Sequence, residues 1–165
     1  VEPDDFGDGD VLAGCYFQEK IEKKAFELGG RTYQAPAQLV GDFLKGQPST
    51  AMGSVTPSYS LGVMPTDLTS LFPDYISDAL KDALVGLDKK MHGFAMSDAV
   101  MTGVESRSSS PLRINRDEAN FQSESTTGIY PSGEGAGFAG GIVSAAIDGL
   151  KCAEALISQF APAEG

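Results

Sequence analysis

The sequence has no tryptophan, a single histidine and only two cysteines, and each scarcity closes off a line of chemistry. With one histidine, His92, a His-rich metal centre is excluded, no metal site is expected, and a Ser-His-Asp triad would have to be built around that residue. His92 stands where a helix pattern runs into Gly93, and the negative end of a helix dipole favours a histidine there on structural grounds alone. Cys15 and Cys152 are too far apart in sequence to read as a C-x-x-C redox pair or a zinc cluster. A reducing, cytoplasmic setting is the simplest reading, with Cys152, among Ala153, Ala155 and Leu156, packed in a core.

Long apolar runs are missing too. None approaches the roughly 20 residues that a membrane span needs, and no signal-like opening precedes the first helix pattern, so no membrane association is expected. Positive charge is scarce: 12 Lys and Arg face 23 Asp and Glu, a net charge of -11 that would repel a phosphate backbone and speaks against nucleic acid as a partner. Glu2, Asp4, Asp5, Asp8 and Asp10 crowd into the first ten residues, and residues 1–11 read as a solvated acidic arm or linker.

What remains is globular in composition, with 41% hydrophobic and 21% charged residues in a 165-residue chain. That suits one domain, or the terminal part of a larger one. Val1 is not an initiator methionine and the chain closes soon after a long helix pattern, which suggests a piece of a longer protein.

Phe17, Ile21, Ala25 and Leu28 recur at helical spacing and stop at Gly29-Gly30, predicting an amphipathic helix over Tyr16–Leu28. A short helix is expected over Pro36–Leu44, since proline suits a first turn and Gly46 lies beyond its end. Residues 47–65 read as a long loop with one strand near Tyr59 and Leu61. Pro73 opens a clear helix, carrying Ile76, Leu80, Leu84 and Leu87 on one face, with Gly93 as its exit. Ala99–Val104 and Leu112–Ile114 read as strands, and Gly128-Ile129-Tyr130 as a short buried strand. From Gly140 to Phe160 the pattern is helical again. Its first half is small or apolar on every side, predicting a helix buried all round or pressed against another backbone or a ligand.

The densest chemical signal precedes that helix: Tyr130-Pro131-Ser132-Gly133-Glu134-Gly135-Ala136-Gly137-Phe138-Ala139-Gly140-Gly141. Gly135, Gly137 and Gly140 fit G-x-G-x-x-G between a strand and a helix, where glycines let a phosphate or ring approach the backbone and helix N–H groups attract negative charge. Tight packing is the alternative reading of the same glycines. The chain ends before a second strand and its acidic residue, so this is not the adenosine-binding half of a dinucleotide fold. Arg107 and Arg113 flank a Ser-rich turn and can pair with a carboxylate or phosphate, or form surface salt bridges. Ser108, Ser109 and Ser110 can donate to a ligand or cap the turn.

Together, Gly103-Val104-Glu105-Ser106-Arg107-Ser108-Ser109-Ser110-Pro111-Leu112-Arg113-Ile114, then Arg116-Asp117-Glu118, Gly128-Ile129-Tyr130-Pro131, the block Gly133–Ile142 and Ser144-Ala145-Ala146-x-Asp148-Gly149 resemble the C-terminal portion of the uncharacterised bacterial FAD-dependent dehydrogenases. These are two-dinucleotide-fold flavoproteins of glutathione-reductase type. Phe17-Gln18, Glu22, Ala25-Phe26, Gly29-Gly30, Tyr33, Ala35-Pro36-Ala37-Gln38 and Asp42-Phe43 resemble that family's segment between its two flavin-binding stretches.

The resemblance implies an α/β flavoprotein, α+β over the stretch that this chain spans. A mostly helical, insertion-like region over residues 12–97 would be followed, over 98–165, by the C-terminal strand, glycine turn and helix of an FAD-binding domain. It also implies FAD as the cofactor of the intact protein, held weakly or not at all by this chain alone. The partner would be an N-terminal dinucleotide-binding part of the same polypeptide, which no stretch before Val11 can be. Gly133, Glu134, Gly135, Gly137, Phe138, Ala139, Gly140, Gly141 and Ile142 would touch the cofactor, with Glu134 accepting from a ribityl or ribose hydroxyl. Arg107, Ser109 and Arg113 would meet substrate or the flavin's polar edge. The rival expectation is a non-redox module whose glycine turn holds a nucleotide or phosphate, or serves packing.

Overall fold

The computed structural model describes residues 2–7, 9–107 and 109–160, which fall into two units. The first comprises residues 1–5 and 17–106, the second residues 6–16 and 107–165.

In the first unit the amphipathic helix α1 (Ala13–Leu28), which enters the unit at Phe17, ends where the glycines predict. The amide of Arg31 donates to Phe26 O at 2.9 Å and that of Gly30 to Glu27 O at 3.0 Å, closing the last turn. Gly29 is required there, because a Cβ would stand 2.3 Å from Gln34 O. The predicted helix over Pro36–Leu44 is instead a strand, β1 (Ala35–Leu39), running straight into a short helix, α2 (Val40–Lys45). β1 is the central strand of a three-stranded sheet, parallel to β2 (Val63–Pro65) and antiparallel to β3 (Val100–Thr102). A central strand is an unusual place for proline. Pro36 is tolerated because the register with β3 begins one residue later, at Ala37, so only its carbonyl is used, accepting from the Gly103 amide at 3.0 Å.

Behind the sheet Ile21, Ala25, Phe43, Leu68 and Leu71 form the buried core. The fully buried Gln38 is satisfied at both ends, donating to Gln47 O at 2.8 Å and accepting from the Leu68 amide at 2.7 Å. α3 (Asp74–Asp88) follows Pro73 as expected and lends Leu80 and Leu84 to the core. It stops before Gly93, where the Asp88 carboxylate gathers the amides of Gly93 and Ala95, so His92 lies exposed in that turn rather than in the helix. The strand expected near Tyr59 and Leu61 forms two residues later, as β2.

The second unit holds α4 (Ile142–Ile157) and a long irregular segment that packs on it. Leu112–Ile114 and Gly128–Tyr130 do not form strands; the regular pairing among described residues is a single bridge between Arg116 and Ser123. Ile129, expected to be buried, is 52% exposed, its carbonyl taken by the Ser123 amide at 2.8 Å. A strand needs a neighbour to pair with, and the described residues of this unit offer none at that position. The architecture is mixed α+β, a small sheet with four helices. No helix among the described residues is long and apolar enough to cross a membrane.

Candidate functional site

The second unit is organised around one ion pair. The Arg116 guanidinium meets the Asp148 carboxylate with both nitrogens, at 2.6 Å to Oδ1 and 2.9 Å to Oδ2, and the two side chains are only 8% and 13% exposed. Bidentate pairing of this kind adds geometric specificity to charge. Arg116 also donates to Pro131 O at 2.7 Å, while Asp148 accepts from the Gly133 amide at 2.8 Å. The two charges therefore pin both ends of Pro131–Gly133 to α4, fixing where the glycine turn starts. The guanidinium lies 3.5 Å from the Phe138 ring centroid and 4.4 Å from that of Phe121, so its flat faces are covered as well.

These contacts set the local titration. Hydrogen bonds from Arg116 hold the Asp148 carboxyl below the ordinary carboxylate value, with the Gly133 amide adding to them against the cost of burial. Asp148 in turn raises Arg116. The Cys152 thiol, 3.2 Å from Arg116 and buried, is pushed up by desolvation, so it rests as a neutral core residue, as its neighbours in sequence suggested.

The glycine turn itself is closed by Gly137 N–H to Glu134 O at 2.9 Å and Phe138 N–H to Gly133 O at 3.0 Å. Its glycines have different reasons to be there. Gly137 has φ +82°, and a Cβ on it would lie 2.5 Å from Leu112 O, so packing alone demands glycine. A Cβ on Gly135 would meet nothing within 4 Å. Gly133 and Ala136 are buried, Glu134, Phe138, Ala139 and Gly141 are half-buried, and Gly135 and Gly140 are exposed. Beyond them α4 starts at Gly141 with no side chain capping its first turn, and Ile142 and Val143 are 91% and 71% exposed. The first half of this helix, expected to be buried all round or pressed against another backbone or a ligand, is not buried by the described residues: Ile147 turns to solvent with Ile142 and Val143, and so does Leu150 further along.

Arg113 is stacked over Phe138 at 4.3 Å, makes no ion pair among the described residues, and lines a cavity of about 340 Å³ together with Glu118 and Glu124. Arg107 and Ser109 are each engaged by other groups. Ser110 Oγ donates to Leu112 O at 2.8 Å, the turn-capping role, and Ser108 lies outside the described residues. The Arg116–Asp148 pair was not singled out as functional from sequence, although both residues stood in the segments that carry the resemblance. The one signal for it was Asp148, the sole charged residue between Ile142 and Leu150.

A family described as "FAD-dependent protein, C-terminal domain-like" matches residues 1–108, about two thirds of the chain. The chain belongs to this family. Membership makes it an FAD-associated protein. An uncharacterized protein of Clostridium beijerinckii (strain ATCC 51743 / NCIMB 8052) is 50% identical over 160 residues, covering 97% of this chain and 30% of that relative, so the chain spans under a third of the relative's length. The segment matched by the FAD-dependent family ends close to the boundary of the first unit at Ser106 and stops short of the glycine turn.

Proposed function

We propose that this chain contributes the flavin-ring side of the cofactor site in an FAD-dependent oxidoreductase of the dehydrogenase class. The observation that carries the reading is the start of α4: an uncapped helix N-terminus behind Gly140-Gly141, with the apolar side chains of Ile142 and Val143 left in solvent. Such an end has free N–H groups for an anionic edge and apolar surface for a ring, and Gly135 leaves the backbone open beside it. These features fit FAD, which when bound would supply hydride or electron transfer at its isoalloxazine ring.

The chain's own residues would then orient and polarise. The α4 dipole would favour negative charge at its N-terminus by about 0.3–2 kcal/mol. Glu134 would accept from a ribityl or ribose hydroxyl, and Arg113, placed over the Phe138 ring, would pair with a substrate carboxylate or phosphate. Phe138 to Ile142 would form the wall of the site, and the Arg116–Asp148 pair would hold that wall in register. An N-terminal dinucleotide-binding part of the same polypeptide would complete the site by taking the ADP half.

Replacing Glu134 tests this in the full-length polypeptide. Loss of one charge-assisted hydrogen bond, about 1.5–3 kcal/mol, should cut FAD affinity about ten- to hundredfold. FAD content after dialysis of Glu134→Ala reads it, and unchanged content removes the assigned role. The second reading, a glycine turn that serves packing or holds a nucleotide without redox chemistry, is favoured by Gly137, whose need for glycine is met inside the chain. A colourless full-length protein that binds nucleotide without being reduced would decide for it.

A further inference from the structure

We propose that the cavity beside Phe138 in the second unit binds an α-amino acid, with Arg113 on its carboxylate and Glu118 and Glu124 on its ammonium. The inference rests on the reading of Arg113 as a substrate contact and names the class of substrate. At about 340 Å³ the cavity is within the roughly 300–1,000 Å³ of small-molecule sites. Phe138 also closes the glycine turn, so the cavity and the proposed flavin wall share a residue.

Most of the lining comes from a tied hairpin, not a loose loop. The Arg116–Ser123 bridge and the Asp117 amide, donating to Gln122 O at 2.9 Å, close the ribbon, and the Glu124 amide reaches Asn115 O at 3.4 Å. Within the turn the Asp117 carboxylate accepts from the Ala119 and Asn120 amides, each at 2.9 Å, and Asn120 Oδ1 accepts from the Gln122 amide at 2.7 Å. Those two side chains are consumed in shaping the turn. The carboxylates of Glu118 and Glu124 are not: among the described residues neither makes a hydrogen bond or an ion pair, and the Asn115 side chain is equally unused. Phe121 is held at φ +62°, in the left-handed region, with its ring 4.4 Å from the Arg116 guanidinium.

Opposite charges thus line one cavity without meeting. Arg116 is already matched by Asp148, and Arg113, over the Phe138 ring, pairs with neither glutamate. A ligand carrying only a carboxylate or a phosphate would meet two carboxylates, and a simple amine would meet the Arg113 guanidinium. A molecule with both charges on neighbouring atoms satisfies both sets. The guanidinium takes a carboxylate through its fork of donors, the glutamates accept from an ammonium, and the Asn115 amide can serve either group. Phe121 and Phe138, both half-buried, supply apolar surface for a side chain.

Calorimetry on the full-length polypeptide tests the proposal with L-leucine, with 4-methylpentanoate, which lacks its ammonium, and with 3-methylbutylamine, which lacks its carboxylate. Leucine should bind saturably, and each analogue at least about tenfold more weakly. Arg113→Gln should weaken leucine about ten- to hundredfold, and Glu118→Gln with Glu124→Gln by a similar factor while leaving 4-methylpentanoate no weaker. Far-UV circular dichroism should be unchanged in both variants, because the three side chains are exposed. No saturable leucine binding, 4-methylpentanoate binding as tightly as leucine, or unchanged leucine affinity in both variants overturns the proposal. Flavin absorbance of the same preparations keeps the two readings apart: leucine binding by a protein that holds no FAD would overturn the flavin reading alone, and FAD without leucine binding would overturn this one alone.

Discussion

Removing the Asp148 carboxylate should do more damage than any other single-charge change in the second unit. Asp148→Ala takes away the acceptor for three donors at once: both Arg116 nitrogens and the Gly133 amide. The guanidinium left behind is 8% exposed and, among the described residues, has no second carboxylate in contact with it. Breaking a buried pair by removing one partner costs about 3–5 kcal/mol. Arg116 would keep Pro131 O and its two ring contacts, which favours the lower end, about 3 kcal/mol. Against a usual domain stability of about 5–15 kcal/mol that is a large fraction.

Urea unfolding followed by circular dichroism measures the loss, and hydrogen exchange at the Gly133 amide reports whether it is local. Exchanging both partners for apolar residues, Arg116→Met with Asp148→Leu, should recover much of the loss, because the uncompensated charge is gone. The pair also fixes a pH dependence. The Asp148 carboxyl titrates lower in the folded protein than when unfolded, so its contribution is complete above the unfolded value near pH 4 and fades as pH falls through the folded one. Asp148→Asn should remove that part of the acid sensitivity. A loss below about 1 kcal/mol in Asp148→Ala would refute the claim that this pair organises the unit.

Gly137→Ala should destabilise by at least about 1 kcal/mol, from its positive φ and the 2.5 Å approach of Leu112 O, whereas Gly135→Ala should stay within about 0.5 kcal/mol; thermal melts separate them. Ile142→Asp with Val143→Asp should leave urea stability nearly unchanged while lowering dye binding to exposed apolar surface, since both side chains are already in solvent; a clear loss of stability would mean that the helix face is covered. The 165-residue chain by itself should bind FAD at millimolar affinity or weaker, because a helix end and a few polar contacts must offset the cost of immobilising a large flexible ligand; calorimetry giving submicromolar binding would overturn the proposed division of the site.

The helices were legible where burial repeats within one element. α1 and α3 carry their core residues at one-turn spacing and end close to where Gly29 and Asp88 turn the chain, and β3 falls inside Ala99–Val104. The misread elements are those whose state is decided by a distant partner. Pro36 is as acceptable in a first helical turn as at the entry of β1, and what selects the strand is pairing with Met64 and then with Thr102, dozens of residues away. Ile129 has the composition of a strand and lacks the neighbour. The Arg116–Asp148 pair spans 32 positions, and charge reads from sequence as solvated surface unless its surroundings are known.

The glycine pattern shows why a fingerprint of this kind cannot by itself separate binding from packing. Gly137 is where glycine must be for the chain to pass Leu112 and Arg113, whatever lies outside. At Gly135 nothing among the described residues stands where a side chain would go, so the chain's own packing does not account for glycine there, whereas the approach of a ligand would. Applying both substitutions to the full-length polypeptide separates the two causes. Gly137→Ala should lose stability and FAD together, in proportion, as a folding defect does. Gly135→Ala should keep its melting temperature and lose FAD. If Gly135→Ala retains both, the open position has no ligand to explain it, and the packing reading of the whole turn gains.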